Sequence, residues 1–118
     1  MDARVDFVVN LLKKNPIQNH RIRDLAREVN LSHWHFTHLF ITEMKMSPSQ
    51  FQRQIKYQTA KVLLETAFLT IKEVMVRVGV NDKSHFCKDF KKLYGVSPQD
   101  YRRFYVHHSR QSTNLADK

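Results

Sequence analysis

The sequence contains few of the residues that interrupt or cross-link a chain. Its 118 residues include 2 glycines, 3 prolines and 1 cysteine. So few helix breakers favour helices over a turn-rich fold, and the lone Cys87 excludes an internal disulfide. The start of the chain lacks the long apolar core of a secretory signal, and no apolar run reaches the length of a membrane span. We therefore expect a helical protein of the reducing cytoplasm that does not interact with a membrane.

Basic residues outnumber acidic ones throughout the chain. There are 20 Lys and Arg against 11 Asp and Glu, which gives a formal net charge of +9. Residues 1–50 hold seven basic and five acidic residues, whereas residues 51–118 hold thirteen and six. Such an excess favours a polyanionic partner. If both halves bind DNA, we expect the second half to supply more of the salt-sensitive attraction.

The chain also contains two related copies of one pattern. Six residues recur fifty positions later: Phe36, Phe40, Ser47, Pro48, Phe51 and Arg53 correspond to Phe86, Phe90, Ser97, Pro98, Tyr101 and Arg103. The preceding segment recurs at an offset of 49, with Ile22, Leu25 and Val29 matching Ile71, Val74 and Val78. The second copy therefore has one extra residue in its turn. A duplicated helix-turn-helix on a basic chain predicts a DNA-binding protein.

Apolar spacing and capping residues predict an all-α fold of seven helices. The first helix ends at Asn15-Pro16, and the second covers about Arg21–Val29. The third helix is expected at about His33–Met44 with Ser32 as N-cap, and the fourth from Pro48 to about Ala67. The fifth follows Thr70, which forms a capping box with Glu73. The sixth is expected at about Lys83–Tyr94, with Asn81 or Asp82 as N-cap and Gly95 at its end, and the seventh follows Ser97-Pro98. The predicted inward residues of the two longer helix-turn-helix members are Phe36, Leu39, Phe40, Phe86, Phe90 and Leu93.

The third and sixth predicted helices have the two faces that a DNA-recognition helix needs. One face packs inward, and the other offers side chains to base edges. The outward sets are His33, Trp34, Thr37, His38 and Ile41 in the third helix, and Lys83, Ser84, Cys87, Lys88 and Lys91 in the sixth. Lysines reach guanine or phosphate, and threonine can donate a hydrogen bond or contact a thymine methyl.

Several of these residues also have a purely structural interpretation. Trp34 can instead pack against the second helix, and Lys91 and Lys92 can form a solvated face. The three histidines of the third helix suggest a metal, but no cysteine or patterned carboxylate completes a tetrahedral set. A redox role for Cys87 would need a perturbed thiol pKa. Because no catalytic motif is present either, we expect no enzyme, no metal and no cofactor.

The stretch GVNDKSHFCKDFKKLYGVSPQDYR at residues 79–102 resembles the signature of the AraC/XylS family of bacterial transcription regulators. That signature is a Gly, then Ser-x-Phe, Phe-Lys, Gly-x-Ser-Pro and Tyr-Arg. The first copy, LAREVNLSHWHFTHLF followed by SPSQF, fits the weaker half of the family pattern. The resemblance covers about residues 4–105.

The resemblance implies one DNA-binding domain at about residues 1–106, followed by a polar tail at 107–118. The domain would contain two helix-turn-helix subdomains, at about 4–47 and 68–106, joined by a linker helix at about 48–67. A helix of about 18–20 residues spans about 27–30 Å. Successive major-groove segments lie about 34 Å apart, so each subdomain would read one segment on one face of the duplex.

The resemblance also assigns residues to the interface. By position, the base-contacting residues of the family correspond to Trp34, Thr37, His38, Lys83, Ser84 and Lys88. We expect DNA-backbone contacts from His33, Arg53, Lys56, Asn81, Lys91 and Arg102.

The expected function is that of a sequence-specific regulator of transcription that binds double-stranded DNA. It would act in the bacterial nucleoid as a monomer, with RNA polymerase as a second partner. The alternative is a helical protein-interaction module that kept the fold but not base reading.

The sequence departs from the family pattern at a few positions. Lys45 stands where a glycine is usual before the first Ser-Pro, and Met75 and Val80 replace a usual alanine and aromatic residue. His38 and Lys88 stand where arginine is common, so we expect less bidentate base reading. We expect the two copies to differ most at Lys45 and at the turn with the extra residue.

Overall fold

The computed structural model describes residues 1–66 and 68–105, and this part of the chain consists of helices, turns and loops without a strand. Six helices have both ends within it: α1 (Ala3–Lys14), α2 (Ile22–Glu28), α3 (His33–Met44), α4 (Pro48–Leu64), α5 (Ile71–Arg77) and α6 (Lys83–Tyr94). A seventh, α7, begins at residue 98 and is described as far as residue 105. The predicted all-α fold of seven helices is therefore confirmed.

The chain divides into two compact units, Met1–Lys56 and Tyr57–Lys118. The boundary falls inside α4, so each half of the predicted linker helix contributes to the core of its own unit. Helix α4 ends at Leu64, earlier than the expected end at Ala67. Ala67 itself and the predicted polar tail at 107–118 lie outside the described residues.

The core of the first unit is built from the apolar faces of α1, α2 and α3 and from the first turns of α4. Three phenylalanines lie at its centre, with ring centroids 5.8 Å apart for Phe36–Phe40 and 5.7 Å apart for Phe40–Phe51. Its buried residues are Val5, Val8, Val9, Leu12, Leu25, Ala26, Phe36, Phe40, Phe51 and Ile55. These positions recur every three or four residues, which is the spacing that places side chains on one helical face.

The core of the second unit repeats this arrangement with one residue that the sequence did not reveal. Its buried residues are Tyr57, Ala60, Leu64, Val74, Met75, Val78, Phe86 and Phe90. Tyr57 is 2% exposed and stacks on Phe86 with ring centroids 5.5 Å apart. The prediction that Leu93 faces inward is wrong, because Leu93 is 41% exposed. Tyr94 packs on Phe90 instead, with ring centroids 4.8 Å apart.

Side chains satisfy the free N–H groups at the helix starts, as expected from the sequence. Ser32 accepts from the His35 N–H at 3.1 Å, and Thr70 and Glu73 form the reciprocal capping box. Ser47 and Gln50 form a similar reciprocal pair at the start of α4. Of the two candidates before α6, the structure selects Asp82, which accepts from the His85 N–H at 3.0 Å.

The two copies end their helices in the same way, contrary to what Lys45 suggested. Lys45 adopts the left-handed conformation with φ of 63°, and Gly95 does so with φ of 81°. Their N–H groups donate to the carbonyls of Ile41 and Lys91 at 2.8 Å and 2.7 Å. The missing glycine therefore changes the backbone strain but not the local structure. The extra residue is confirmed, since four residues separate α2 from α3 and five separate α5 from α6.

Helix α7 is attached to the end of α4 by polar contacts within the second unit. The Arg102 Nε donates to the Leu64 carbonyl at 3.1 Å, and its Nη2 donates to the Thr66 carbonyl at 3.4 Å. The Tyr101 hydroxyl donates to Glu65. Burial and this hydrogen bond raise the pKa of Tyr101, so the hydroxyl remains a donor at neutral pH. Arg102 therefore caps the free carbonyls at the C-terminus of α4.

Candidate nucleic-acid interface

The exposed face of α3 is organised around a stacked pair, Trp34 and His38. The Trp34 side chain is 68% exposed, and its ring stacks on His38 with centroids 4.0 Å apart and planes inclined by 29°. This exposure does not fit the alternative in which Trp34 packs against α2. The His38 Nδ1 lies 2.9 Å from the Trp34 carbonyl oxygen. Because a carbonyl only accepts, Nδ1 is the donor, and the Nε2 of a neutral His38 is an acceptor for an external group.

Thr37 and Cys87 occupy equivalent positions in the two copies, and both lie at the edge of a core. Each is half-buried, and Cys87 packs against the buried residues of the second unit. Cys87 and Thr37 therefore lie at the border of the outward face and not at its centre. The Thr37 hydroxyl is buried without a hydrogen-bond partner among the described residues. In this rotamer, the Thr37 hydroxyl is not accessible to a base.

The exposed face of α6 carries the predicted residues Lys83, Ser84 and Lys88, all of which are exposed. The carboxylate on this helix, Asp89, is engaged internally. It accepts from the Tyr57 hydroxyl at 3.3 Å and pairs with the His85 Nε2 at 3.1 Å. Because Asp89 is held there, the lysines next to it on α6 remain available to an anionic ligand.

The predicted backbone-contacting residues fall into three groups. Asn81 and Lys91 are exposed in the second unit. Arg102 has the capping role described above, which occupies its Nε and Nη2 and leaves less of the guanidinium for a DNA phosphate. The other three, His33, Arg53 and Lys56, line one groove in the first unit.

This groove, called the basic groove below, has a volume of about 640 Å³ and is lined by residues 19–23, 33, 49, 52, 53 and 56. The sequence prediction missed two of its cations, Arg21 and Arg23. A signal was present, because an Arg-x-Arg pair flanks Ile22 at the start of α2. The lining contains no carboxylate. The groove therefore gathers cations from the start of α2 and from α4.

Hydrogen bonds hold the wall of the basic groove in place. The Gln52 side chain accepts from the His20 N–H at 2.6 Å and donates to the His20 carbonyl at 3.0 Å. Lys56 Nζ donates to the Asn19 side chain. Burial, followed by the nearby charge of Arg53, lowers the pKa of Lys56. The loop that precedes α2 is thus fixed to α4, with Arg21 at its end and Arg23 in the first turn of α2.

The described residues contain neither a candidate metal site nor a membrane span. No three or more His, Cys, Asp or Glu residues are arranged to hold a metal ion within them. None of the helices in this part of the chain combines the length and the apolar character needed to cross a membrane.

Comparisons with known proteins give the same family that the signature residues resemble. A family model described as a helix-turn-helix domain matches residues 25–103. An uncharacterised HTH-type transcriptional regulator of Haemophilus influenzae is 29% identical over 102 residues, which are 86% of this chain and 34% of that protein.

Two solved structures share the fold. The DNA-binding domain of AdpA, crystallised with a target DNA, superposes with a TM-score of 0.84 at 24% identity, covering 93% of this chain and 99% of that one. A regulator from Chromobacterium violaceum described as AraC-type has a TM-score of 0.79 at 20% identity, covering 85% and 89% of the two chains.

The curated relatives match this chain over only part of their own length. The chain spans about a third of the length of the curated relatives that it matches. The family model nevertheless covers most of the first helix-turn-helix copy and the whole of the second. The chain therefore belongs to the AraC family of helix-turn-helix DNA-binding domains.

Proposed function

We propose that this chain is a sequence-specific, double-stranded DNA-binding module of a transcription regulator. The observation that carries the proposal is the construction of α3 and α6. Each is N-capped, each is held by two fully buried phenylalanines, and each presents an exposed face with aromatic, histidine or lysine side chains. This is the construction of a helix that enters a major groove.

The proposed mechanism divides the contacts by role. Base reading falls to Trp34, Thr37 and His38 of α3 and to Lys83, Ser84 and Lys88 of α6, and each helix enters one major-groove segment of the same duplex. His33, Arg53, Lys56, Asn81 and Lys91 contact the backbone. Backbone contacts position the protein, and the exposed groove-facing side chains provide specificity.

The proposal extends to the state in which the chain acts. Two different reading faces on one chain support binding as a monomer, because a second copy is not needed to supply a second recognition helix. A regulator bound beside a promoter would meet RNA polymerase, which is the second partner that we propose. Its place would be on the chromosome of a bacterial cell.

Selection of bound sequences from random duplex DNA tests the function directly. We expect one enriched sequence and an affinity that falls steeply with salt. The interaction-module alternative predicts no enriched sequence and an affinity independent of salt, and that result would overturn the proposal.

Single substitutions test the assignment of base contacts. Lys88→Ala should cost about 1–3 kcal/mol of binding on the selected sequence and should relax discrimination at one base step. Lys72→Ala is the matched control, since Lys72 is an exposed lysine of α5 that we assign no base. Equal losses for Lys88→Ala on selected and random DNA would show that Lys88 contacts phosphate alone.

A further inference from the structure

We propose that the basic groove of the first unit is a binding site for a phosphate group, with Arg21, Arg23, Arg53 and Lys56 as its principal ligands. The shared chemistry is a phosphoryl oxygen that accepts from guanidinium and ammonium groups. Its source is either the DNA backbone or a free phosphorylated compound. The DNA-backbone form of the proposal rests on the function proposed above.

The first argument is uncompensated charge. Four cationic side chains line one groove without a carboxylate: Arg21, Arg23, Arg53 and Lys56. The ion pairs of the described residues join other side chains, namely Arg4–Asp2, His85–Asp89 and Arg103–Asp100. Bringing like charges together costs free energy unless an anion offsets it. A protein that keeps such a cluster on its surface has the charge pattern of an anion-binding site.

The second argument is that the groove is built by specific contacts. The paired hydrogen bonds between Gln52 and the His20 backbone, and the bond from Lys56 to Asn19, hold the loop before α2 against α4. Arg21 and Arg23 follow directly on this fixed segment. The backbone positions from which these two side chains extend are therefore set by the fold.

The third argument is an unpartnered polar atom in the wall. His20 lines the groove, and its Nε2 is buried without a hydrogen-bond partner in the part of the chain that the structure describes. A buried polar atom left unpaired costs free energy. The wall of the groove therefore contains a polar atom whose hydrogen-bonding capacity is unused.

The arginine forks and the size of the groove define the ligand more closely. Guanidinium groups present paired N–H donors that match the oxygens of a phosphate. The volume of about 640 Å³ is in the range of pockets that hold whole small molecules. It therefore accommodates a phosphate together with the sugar attached to it.

Salt dependence of DNA binding tests the DNA-backbone form. Each phosphate contact contributes about 0.9 to the slope of log affinity against log salt. We expect Arg53→Gln and Arg23→Gln each to lower this slope by about 0.9. Compared with the wild type, the loss of affinity between 50 and 200 mM salt would then be smaller by a factor of about three. Arg53→Lys keeps the charge and should keep the slope. Lys13→Gln is the matched control, because Lys13 is an exposed cation of α1 in the same unit outside the groove, and it should leave the slope unchanged.

Titration of the intact chain with inorganic phosphate and with glycerol 3-phosphate tests the free-ligand form. Ionic strength is held constant with chloride, and binding is followed by NMR amide shifts in the loop at residues 19–23. Binding by the wild type that is lost in Arg53→Gln, with an unchanged DNA salt slope, would assign the groove to a free phosphorylated compound. A reduced slope would assign it to the DNA backbone.

The outcomes separate this inference from the proposed function. If Arg53→Gln and Arg23→Gln behave like Lys13→Gln in both experiments, the groove is not a phosphate-binding site. This holds even if the wild type selects a DNA sequence. Phosphate binding that depends on Arg53 would support the phosphate-binding site even if the wild type enriches no DNA sequence. Circular dichroism of each variant establishes that the losses do not come from unfolding.

Discussion

Lys45 has a backbone conformation that glycine adopts with the least strain. Its φ of 63° lies in the left-handed region, where a Cβ atom meets the following carbonyl. The equivalent residue of the second unit is Gly95, and a Cβ built there meets no heavy atom within 4 Å. Backbone strain is therefore the main difference expected when these two residues are exchanged.

Exchange at these two positions should change stability in opposite directions. We expect Lys45→Gly to raise the free energy of unfolding by about 0.5–1 kcal/mol, because relief of strain outweighs the added entropy of the unfolded glycine. Gly95→Lys should lower the free energy of unfolding by about 1 kcal/mol. Urea denaturation measures both. A neutral Gly95→Lys would show that the strain argument does not hold for this turn.

His38 should read a base that donates a hydrogen bond. Its Nδ1 is engaged by the Trp34 carbonyl and its ring by the Trp34 indole, so its neutral Nε2 accepts. Adenine N6 and cytosine N4 are the donors in the major groove. We expect sequences selected at pH 8 to have adenine or cytosine at one position, and His38→Arg to change the preference there to guanine. An unchanged preference in His38→Arg would remove His38 from base reading.

At the scale of elements, the end of α4 depends on a side chain that is far away in sequence. Arg102 donates to the carbonyls of Leu64 and Thr66. Arg102→Ala should lower the free energy of unfolding by about 1–2 kcal/mol, since a charged donor to free helix carbonyls is removed. Arg103→Ala is the control, because Arg103 makes an exposed ion pair at 3.9 Å with Asp100 and such pairs contribute little.

The same pair of variants separates capping from DNA contact. If Arg102 acts as a cap, Arg102→Ala changes the denaturation midpoint and leaves the salt slope of DNA binding near that of Arg103→Ala. A slope reduced in Arg102→Ala, with unchanged stability, would instead favour the backbone contact that the sequence suggested.

The start of α1 should make the fold sensitive to acid. Hydrogen bonds from the Arg4 side chain and from the Arg4 backbone N–H lower the pKa of Asp2 from 3.8 to about 2. A lowered folded-state pKa gives a stabilising contribution that is present above pH 3.8 and is lost as pH falls towards 2. We expect Asp2→Asn to lower the thermal midpoint at neutral pH and to match the wild type near pH 2. A difference that persists unchanged at pH 2 would contradict this.

At the scale of the whole molecule, the unit boundary changes the distribution of charge. Residues 1–56 hold nine basic and five acidic residues, and residues 57–118 hold eleven and six. Division at residue 50 made the second half much more basic, but Arg53 and Lys56 belong to the first unit. The expectation that the second half dominates salt-sensitive attraction therefore loses its basis. We now expect comparable contributions from the two units.

The two units should also read different sequences. Trp34 and His38 of α3 are replaced in α6 by Ser84 and Lys88 at the equivalent positions. Since different side chains prefer different bases, we expect the selected binding site to be asymmetric. Footprinting of that site by the isolated chain gives the test, and a palindromic site occupied by two copies would contradict binding as a monomer.

The sequence by itself determined the helices, their caps and most of the two cores. Apolar spacing of three and four residues and capping side chains act within one or two turns, so they can be read locally. The tertiary structure decided which distant residues meet. Arg21, Arg23 and Arg53 converge on one groove, Arg102 reaches Leu64, and Tyr57 is buried against Phe86. It also placed Thr37 and Cys87 at the core edges and left Leu93 partly exposed, because the packing between helices determines which side chains at the border of a helical face are covered.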